Sequence, residues 1–296
     1  MQISETKATL IGSTAVLLWG ALALFTTWTG KIPPLQLVAM TFSIAFLLAL
    51  GKWLVKGEKL NAHLKQPWPL WVMGVGGLFG YHFFYFMALK NAPAVEASLI
   101  AYMWPLLIVL FSTFLPGEKL GIHHIVGVLL GLFGCVLLVT DGGNVSFNSD
   151  YMVGYMAAIA CALTWSIYSV LSRKFGKTPT DVVGWFCGAT AVLGLVCHLI
   201  FEETYMPNSL GMWVAVIILG LGPVGLAFFT WDVGMKKGNI KALGAFSYMA
   251  PLLSAVLLVV FGDTSASLVL ALACIAIVGG AVIAAKDMVF GKAVRR

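Results

Sequence analysis

Charge is what this sequence has least of. Only 10% of its 296 residues are Asp, Glu, Lys or Arg, whereas 60% are apolar. A soluble globular domain carries about 25% charged residues, because its surface must face water. The composition therefore excludes a soluble enzyme and a soluble nucleic-acid-binding domain. It predicts a protein whose main partner is the lipid bilayer, with no nucleic-acid partner.

Charges are missing in particular from the middle of the long apolar runs. Without a buried Lys or Arg, a phosphate-bearing substrate lacks its usual partner. Without a buried carboxylate, a cation/proton antiporter lacks its usual ion site. The sequence also has no phosphate-binding glycine loop with lysine, no Ser-His-Asp constellation and no metal-ligand spacing. We therefore expect neither ATP-driven pumping nor an enzyme, and no metal or cofactor.

What the sequence does contain is long apolar segments. A bilayer core about 30 Å thick is crossed by about 20 helical residues. Transmembrane barrel strands would be about 10 residues long with strict alternation, and these segments do not alternate. We therefore predict an all-α integral membrane protein with ten transmembrane helices, at residues 8–28, 35–54, 69–89, 95–115, 122–140, 152–172, 180–201, 211–234, 242–262 and 267–285.

The basic residues are sorted to one side of this arrangement. Sixteen of the 18 lysines and arginines fall in the two termini and in alternate loops, and only Lys31 and Lys90 fall on the other side. Lys and Arg are enriched in the cytoplasmic loops of membrane proteins. The pattern predicts that both termini are cytoplasmic, and it accounts for the formal net charge of +6 as a topology signal.

The two halves of the chain resemble each other. Residues 102–107 (YMWPLL) match residues 248–253 (YMAPLL) at an offset of 146, and the same offset pairs Trp19 with Trp165. The halves, 1–146 and 147–296, then contain five segments each. Because five is odd, the second half enters the membrane from the opposite side, and the duplication becomes an inverted repeat. Inverted repeats around a site at mid-membrane depth are typical of secondary transporters that work by alternating access.

Pro105 and Pro251 occupy matching positions in the fourth and ninth segments. Each removes a backbone donor and frees the carbonyl four residues earlier, deep in the membrane. One interpretation is a pair of tolerated kinks packed against neighbours. The other is a hinge in the wall of a polar cavity, which these two segments would line with Ser98, Tyr102, Trp104, Ser247 and Tyr248.

Further polar and aromatic side chains lie at mid-depth in the first, third and sixth segments. Tyr81 and Tyr85 share a helix face, and His82 is the ionisable side chain nearest the middle of a segment. His82 either contacts a substrate or hydrogen-bonds a neighbouring helix. Trp19 and Trp165 lie away from the membrane interface that tryptophan prefers. They either pack the core or stack on a flat ligand.

A stripe of Gly127, Gly131 and Gly134 in the fifth segment provides a face for close helix packing. Its partner is either another helix of this chain or a second copy in a homodimer, and the sequence leaves both open.

Taken together, several features resemble the drug/metabolite transporter superfamily and, within it, the EamA-type exporters. They are the two sets of five segments, the matching prolines, the matching tryptophans and the turn KNAPA at residues 90–94. The resemblance covers about residues 8–287, and the aromatic set is similar to that of the YddG-type exporters of aromatic amino acids. It implies a permease of the bacterial inner membrane with a central cavity lined by both halves.

Three functional hypotheses follow. The leading one is a secondary transporter that exports aromatic and other neutral amino acids as its small-molecule substrates. The second is a broad exporter of small amphipathic drugs or metabolites. The third, from another class, is a non-transporting membrane scaffold or an intramembrane enzyme with His82 as base. It is disfavoured because no nucleophile or acid pairs with His82.

Overall fold

The computed structural model describes residues 3–261 and 267–287, and every regular element within them is a helix. Nine of these helical segments are long and apolar enough to cross a membrane, which confirms the predicted all-α membrane fold. The tenth predicted segment corresponds to a shorter apolar helix of 17 residues. We number them α1 Glu5–Trp28, α2 Pro34–Val55, α3 Trp68–Asn91, α4 Ala94–Phe114, α5 Ile122–Thr140, α6 Ser149–Phe175, α7 Val182–Phe201, α8 Leu210–Lys237, α9 Ile240–Phe261 and α10 Leu268–Ala284.

Several segments are interrupted near mid-depth. Helix α4 breaks between Ala101 and Trp104, and α9 breaks between Phe246 and Met249. Each break lies within a few residues before a proline, Pro105 or Pro251, because a proline has no N–H to continue the helical hydrogen bonds. Helix α1 is interrupted at Ala21, and α8 contains a π-helical turn at Gly222–Leu226. These breaks lie around the centre of the molecule.

The helices pack in four main pairs: α1 with α8, α3 with α6, α2 with α7 and α5 with α10. Small residues allow the closest approaches, since a Cβ at Gly12 would lie 2.8 Å from the Cα of Gly234. The stripe in α5 faces α10, because a Cβ at Gly127 would lie 2.5 Å from the Gly280 carbonyl oxygen. The described part of the chain therefore supplies its own partner for the predicted glycine face.

Four basic side chains define one end of the bundle, which we call the lysine-rich end. Each of them contacts a loop or helix end that belongs to a different segment, so this end is held together by polar contacts. The pairs are Lys52 with Asp181, Arg173 with the Gly238 carbonyl, Lys236 with the Thr178 carbonyl, and Lys241 with Glu118.

At the opposite end, a carboxylate caps the start of α2. The two oxygens of Glu202 each accept a main-chain N–H at 3.0 Å, from Leu35 and Gln36. The first N–H groups of a helix have no partner within the helix, and a negative charge there also complements the helix dipole. This contact ties the end of α7 to the start of α2.

Candidate functional site: an aromatic cavity at the centre of the bundle

A cavity of about 210 Å³ lies where the interrupted helices meet. Side chains from α1, α3, α4, α6, α8 and α9 line it, so both halves of the chain contribute. Seven of the ten residues predicted to bind substrate lie on its wall. The lining residues are Trp19, Leu22, Ala23, Tyr81, His82, Tyr85, Ala101, Tyr102, Trp104, Trp165, Pro223, Val224, Phe228, Ala250 and Ser254.

Tryptophans form the floor of the cavity. The ring centroids of Trp19 and Trp165 are 5.6 Å apart with their planes at 76°, and those of Trp104 and Trp165 are 6.3 Å apart at 87°. Trp231 lies beneath them, with its centroid 5.1 Å from that of Trp19. Edge-to-face contacts of this kind stabilise aromatic clusters beyond simple burial. They hold flat apolar surfaces at fixed angles around the cavity.

Polar groups lie on the α3 wall. Tyr81 and Tyr85 are stacked, with ring planes only 2° apart, and the Tyr85 hydroxyl lies 3.4 Å from the Ser98 hydroxyl. His82 Nδ1 is 2.8 Å from the Leu78 carbonyl oxygen. Because a carbonyl only accepts, Nδ1 carries the proton, and the neutral ring keeps Nε2 as an acceptor. The wall therefore offers hydroxyl donors together with an imidazole acceptor.

The break in α4 brings Tyr102 and Trp104 to the same cavity. On a continuous helix the two side chains would point about 200° apart. Both line the cavity here because the helix is interrupted between Ala101 and Trp104, just before Pro105. The proline thus changes the direction of the side chains as well as that of the helix.

Ser98, Ser247 and Tyr248 do not line the cavity, although the Ser98 hydroxyl lies next to that of Tyr85. The Ser247 hydroxyl donates to the Leu243 carbonyl at 2.7 Å, and Ser247 is 1% exposed. The ring of Tyr248 is buried against α5, so closely that a Cβ added at Gly131 would lie 2.6 Å from it. The break at Pro251 instead turns Ala250 and Ser254 towards the cavity, where the Ser254 hydroxyl donates to the Gly20 carbonyl at 2.7 Å.

Sequence reasoning did not find Phe228, Ala250, Pro223 or Ser254. The repeat offset of 146 could have found two of them, since it pairs His82 with Phe228 and Trp104 with Ala250. These pairs also show that the two walls differ. The first half places polar or large residues where the second half places a phenyl ring and a small residue.

The cavity is closed towards the lysine-rich end. Below the floor, Trp231 donates its indole N–H to the Ser169 hydroxyl at 3.1 Å, which joins α8 to α6. The first part of α9, Ile240–Phe246, also packs against the second part of α4, Trp104–Phe111. Within residues 3–261 and 267–287, the other two parts of these helices, Ala94–Ala101 of α4 and Met249–Phe261 of α9, do not pack against each other to a comparable extent. The cavity therefore extends towards the opposite end.

A second cluster of chemically active groups lies at the lysine-rich end, where His123 Nε2 is 2.9 Å from Asp287 Oδ2. The neighbouring His124 Nδ1 accepts the Gly121 main-chain N–H at 2.9 Å. In the neutral ring the proton of His124 is then on Nε2, which leaves that atom no lone pair for a metal ion. The cluster links α5 to the end of α10.

The cavity lining contains no Asp, Glu, Lys or Arg among the residues described. Its chemistry suits a small molecule without net charge that presents an aromatic face and a few polar groups. A helical bundle that crosses the membrane, with such a cavity closed at one end, is typical of membrane transporters.

The family comparison gives the same class. The model of the EamA-like transporter family matches the chain twice, over residues 6–140 and 152–285, and the chain belongs to this family. The prediction that it is not an enzyme is confirmed, since the family consists of transporters.

Individual relatives are also similar over nearly the whole chain. An aromatic amino acid exporter YddG from Ancylobacter novellus is 54% identical, covering 95% of this chain and 98% of its own length. Its counterpart of the same name from Escherichia coli (strain K12) is 24% identical over 86% of this chain and 88% of its own. A crystal structure of a protein 54% identical to this chain superposes with a TM-score of 0.90, covering 95% of this chain and 98% of the other.

Proposed function

We propose that the protein is a secondary transporter that exports aromatic amino acids in preference to other neutral amino acids. The observation that carries the proposal is the central cavity, which combines a tryptophan floor with an uncharged polar wall. An aromatic amino acid is a zwitterion with a flat ring. The ring fits the floor, while the Tyr81, Tyr85 and Tyr102 hydroxyls can donate to its carboxylate and His82 Nε2 can accept from its ammonium group.

The substrate class is further supported by the 54% identical relative from Ancylobacter novellus, which is named as an aromatic amino acid exporter. The lack of charged lining residues disfavours cationic dyes and phosphorylated metabolites, because a buried ion needs a partner. The volume of about 210 Å³ lies below the range of about 300–1,000 Å³ that is usual for drug-sized ligands. A broad drug or metabolite exporter is therefore the second candidate.

Transport by alternating access would follow from an inverted repeat of residues 1–146 and 147–296. The helix pairs support this proposal, because exchanging the halves converts the α1–α8 pair into α6–α3 and maps the α2–α7 and α5–α10 pairs onto themselves. Small residues at the contacts correspond as well. Gly127 approaches Gly280, and their counterparts at the offset of 146, Ala273 and Gly134, are also in contact. The two matches of the family model support the same division.

The direction of export depends on which end faces the cytoplasm. Basic residues are enriched on the cytoplasmic side of membrane proteins, which favours the lysine-rich end. In that orientation, ten crossings of a bacterial inner membrane place both termini in the cytoplasm. The structure would then be the outward-facing state, with the cavity closed to the cytoplasm and open to the other side.

Flux into proteoliposomes separates the candidate functions. Purified protein would be reconstituted and supplied in turn with labelled tryptophan, phenylalanine, threonine and a cationic dye. We expect flux of tryptophan and phenylalanine above threonine, and no flux of the dye. Flux of the dye alone would overturn the amino-acid proposal, and no flux of any compound would favour a scaffold.

Orientation needs its own measurement. Single cysteines at Lys59 and Lys31, in a background whose five native cysteines are replaced, would be exposed to a membrane-impermeant thiol reagent in intact cells. We expect Lys31→Cys to react and Lys59→Cys to react only after the membrane is opened. The reverse result would place the lysine-rich end outside and contradict the export direction.

A further inference from the structure

The indole N–H of Trp19 donates to the main-chain carbonyl of Pro223 at 3.0 Å. This bond crosses the cavity wall from α1 to α8, and it fixes the tryptophan at the centre of the aromatic floor. A carbonyl inside an α-helix normally accepts the N–H four residues later. The Pro223 carbonyl must therefore be released from that N–H in some way.

A π-turn in α8 releases it. Pro223 lies in the π-helical turn Gly222–Leu226, where the Ala227 N–H donates to the Gly222 carbonyl, five residues earlier. In an α-helix the same N–H would donate to the Pro223 carbonyl. The proline contributes upstream too, because it has no N–H for the Leu219 carbonyl and so disfavours the α-helical register. Trp19 takes the position that the π-turn leaves open.

The turn also requires a glycine. A Cβ at Gly225 would lie 2.4 Å from the Gly220 carbonyl oxygen, a distance that real side chains do not reach. In the first half the positions that correspond to Pro223 and Gly225 are Gly77 and Phe79, within the uninterrupted α-helix α3. This combination of π-turn, proline and glycine is therefore present in α8 but not in its counterpart α3.

We propose that Pro223 and Gly225 are positioning residues that set the preference for aromatic over non-aromatic substrates, by holding the Trp19 indole through the π-turn. Gly225 does not line the cavity and acts through Trp19, whose ring is 5.6 Å from that of Trp165 and 6.3 Å from that of Trp104. If the hydrogen bond is lost, the indole is free to rotate, and the floor no longer presents a fixed face for a substrate ring. This proposal rests on the proposed function.

The test compares tryptophan and threonine flux in four proteins and one control variant. They are the wild type, Gly225→Ala, Trp19→Phe, and the double variant; Gly51→Ala is the matched control, because its Cβ would meet no atom within 4 Å. We expect Gly225→Ala to lower the ratio of tryptophan flux to threonine flux about threefold to tenfold. This is the change in a ratio that corresponds to the net free energy of one hydrogen bond. The double variant should match Trp19→Phe alone, and Gly51→Ala should match the wild type.

Two results would overturn the proposal: a wild-type ratio in Gly225→Ala, or a double variant whose loss is the product of the two single losses. If Gly225→Ala is not recovered as folded protein, Pro223→Ala replaces it, since it restores the donor to the Leu219 carbonyl without adding a side chain at residue 225.

A readout independent of transport keeps the test separate from the proposed function. The indole N–H of Trp19 can be assigned by NMR in ¹⁵N-labelled protein, from the signal that disappears in Trp19→Phe. We expect that signal to move upfield in Gly225→Ala and in Pro223→Ala, because the hydrogen bond is lost. An unmoved signal would contradict the role of the π-turn, whatever the substrate is. A wild type that does not discriminate tryptophan from threonine would instead count against the aromatic substrate.

Discussion

Lys236 Nζ lies 2.8 Å from Asp232 Oδ2, and both side chains are buried at the lysine-rich end of α8. The same carboxylate accepts the Thr180 hydroxyl at 2.6 Å, and Lys236 also donates to the Thr178 carbonyl. The ion pair therefore joins α8 to the loop between α6 and α7. The repeat offset places Phe86 and Lys90 at the corresponding positions of α3, so α3 has no equivalent ion pair.

Removing one partner of this pair should cost more than removing both. Asp232→Leu or Lys236→Met alone leaves an uncompensated buried charge, and such changes destabilise by about 3–5 kcal/mol. The double variant leaves no charge unpaired, so we expect its loss of unfolding free energy to be smaller than either single loss. Thermal unfolding of the four proteins in detergent measures this. A double variant that loses the sum of the single losses would contradict a coupled pair.

Close packing of α5 on α10 predicts that Gly280→Ala destabilises the fold, whereas Gly279→Ala has almost no effect on stability. A Cβ at Gly280 would lie 2.4 Å from the Gly127 carbonyl oxygen, whereas a Cβ at Gly279 meets only a Leu130 methyl at 3.8 Å. Overpacking of this kind costs about 1–3 kcal/mol. We expect Gly280→Ala to lower the midpoint of thermal unfolding and Gly279→Ala to leave it unchanged. Equal midpoints for the two variants would mean that the helices are not in contact along this face.

The ion pair of Lys52 with Asp181 predicts a pH dependence of stability. Burial acts to raise the pKa of the Asp181 carboxyl, but hydrogen bonds from Lys52 and Trp53 and the lysine charge outweigh it, so the pKa lies below its usual value. A carboxyl with a lowered folded-state pKa stabilises the fold above its unfolded pKa of about 3.9. That contribution is lost as the pH falls through the folded value.

We therefore expect Lys52→Met to unfold at a lower temperature than the wild type at pH 7, and the two unfolding temperatures to converge as the pH falls below about 4. The effect is small, because the lysine is partly exposed to solvent. Lys56→Met, which changes an exposed lysine one turn further along, is the control and should match the wild type throughout. A difference between Lys52→Met and wild type that grows at low pH would contradict the sign of the linkage.

The closed and open ends of the cavity predict a difference in chemical reactivity between two repeat partners. Ala23 lines the cavity, whereas Ser169, its partner at the offset of 146, accepts the Trp231 N–H and is buried. In a background whose native cysteines are replaced, we expect Ala23→Cys to be labelled rapidly by a small polar thiol reagent and Ser169→Cys slowly. Equal rates would show that the two ends are equally open in solution.

The bilayer-spanning fold could be predicted from the sequence because membrane thickness sets the length of a helix and its apolar content. The breaks at residues 101–104 and 246–249 followed from Pro105 and Pro251, whose effect is local. The π-turn of α8 could not be predicted in this way, since it depends on a proline, a glycine and a hydrogen bond to a residue 204 positions away.

The cavity was only partly predictable for a different reason. Trp19, Tyr81 and His82 could be chosen because polar and aromatic residues at mid-depth usually face something other than lipid. Ser247 and Tyr248 were chosen by symmetry with the first half. The structure is closed at one end only, so equivalent positions of the two halves have different neighbours. A repeat in the sequence shows which residues correspond, but not which of them are buried in a given conformation.

The central claim is that amino acids cross the membrane through the aromatic cavity. The most direct test is tryptophan flux into proteoliposomes by the wild type, His82→Ala, Trp165→Ala and Leu199→Ala. The last is the control, because Leu199 is 67% exposed and does not line the cavity. We predict that both cavity variants, recovered as folded protein, lose most of the flux while Leu199→Ala retains it. Wild-type flux in folded His82→Ala and Trp165→Ala would contradict the cavity as the site of transport.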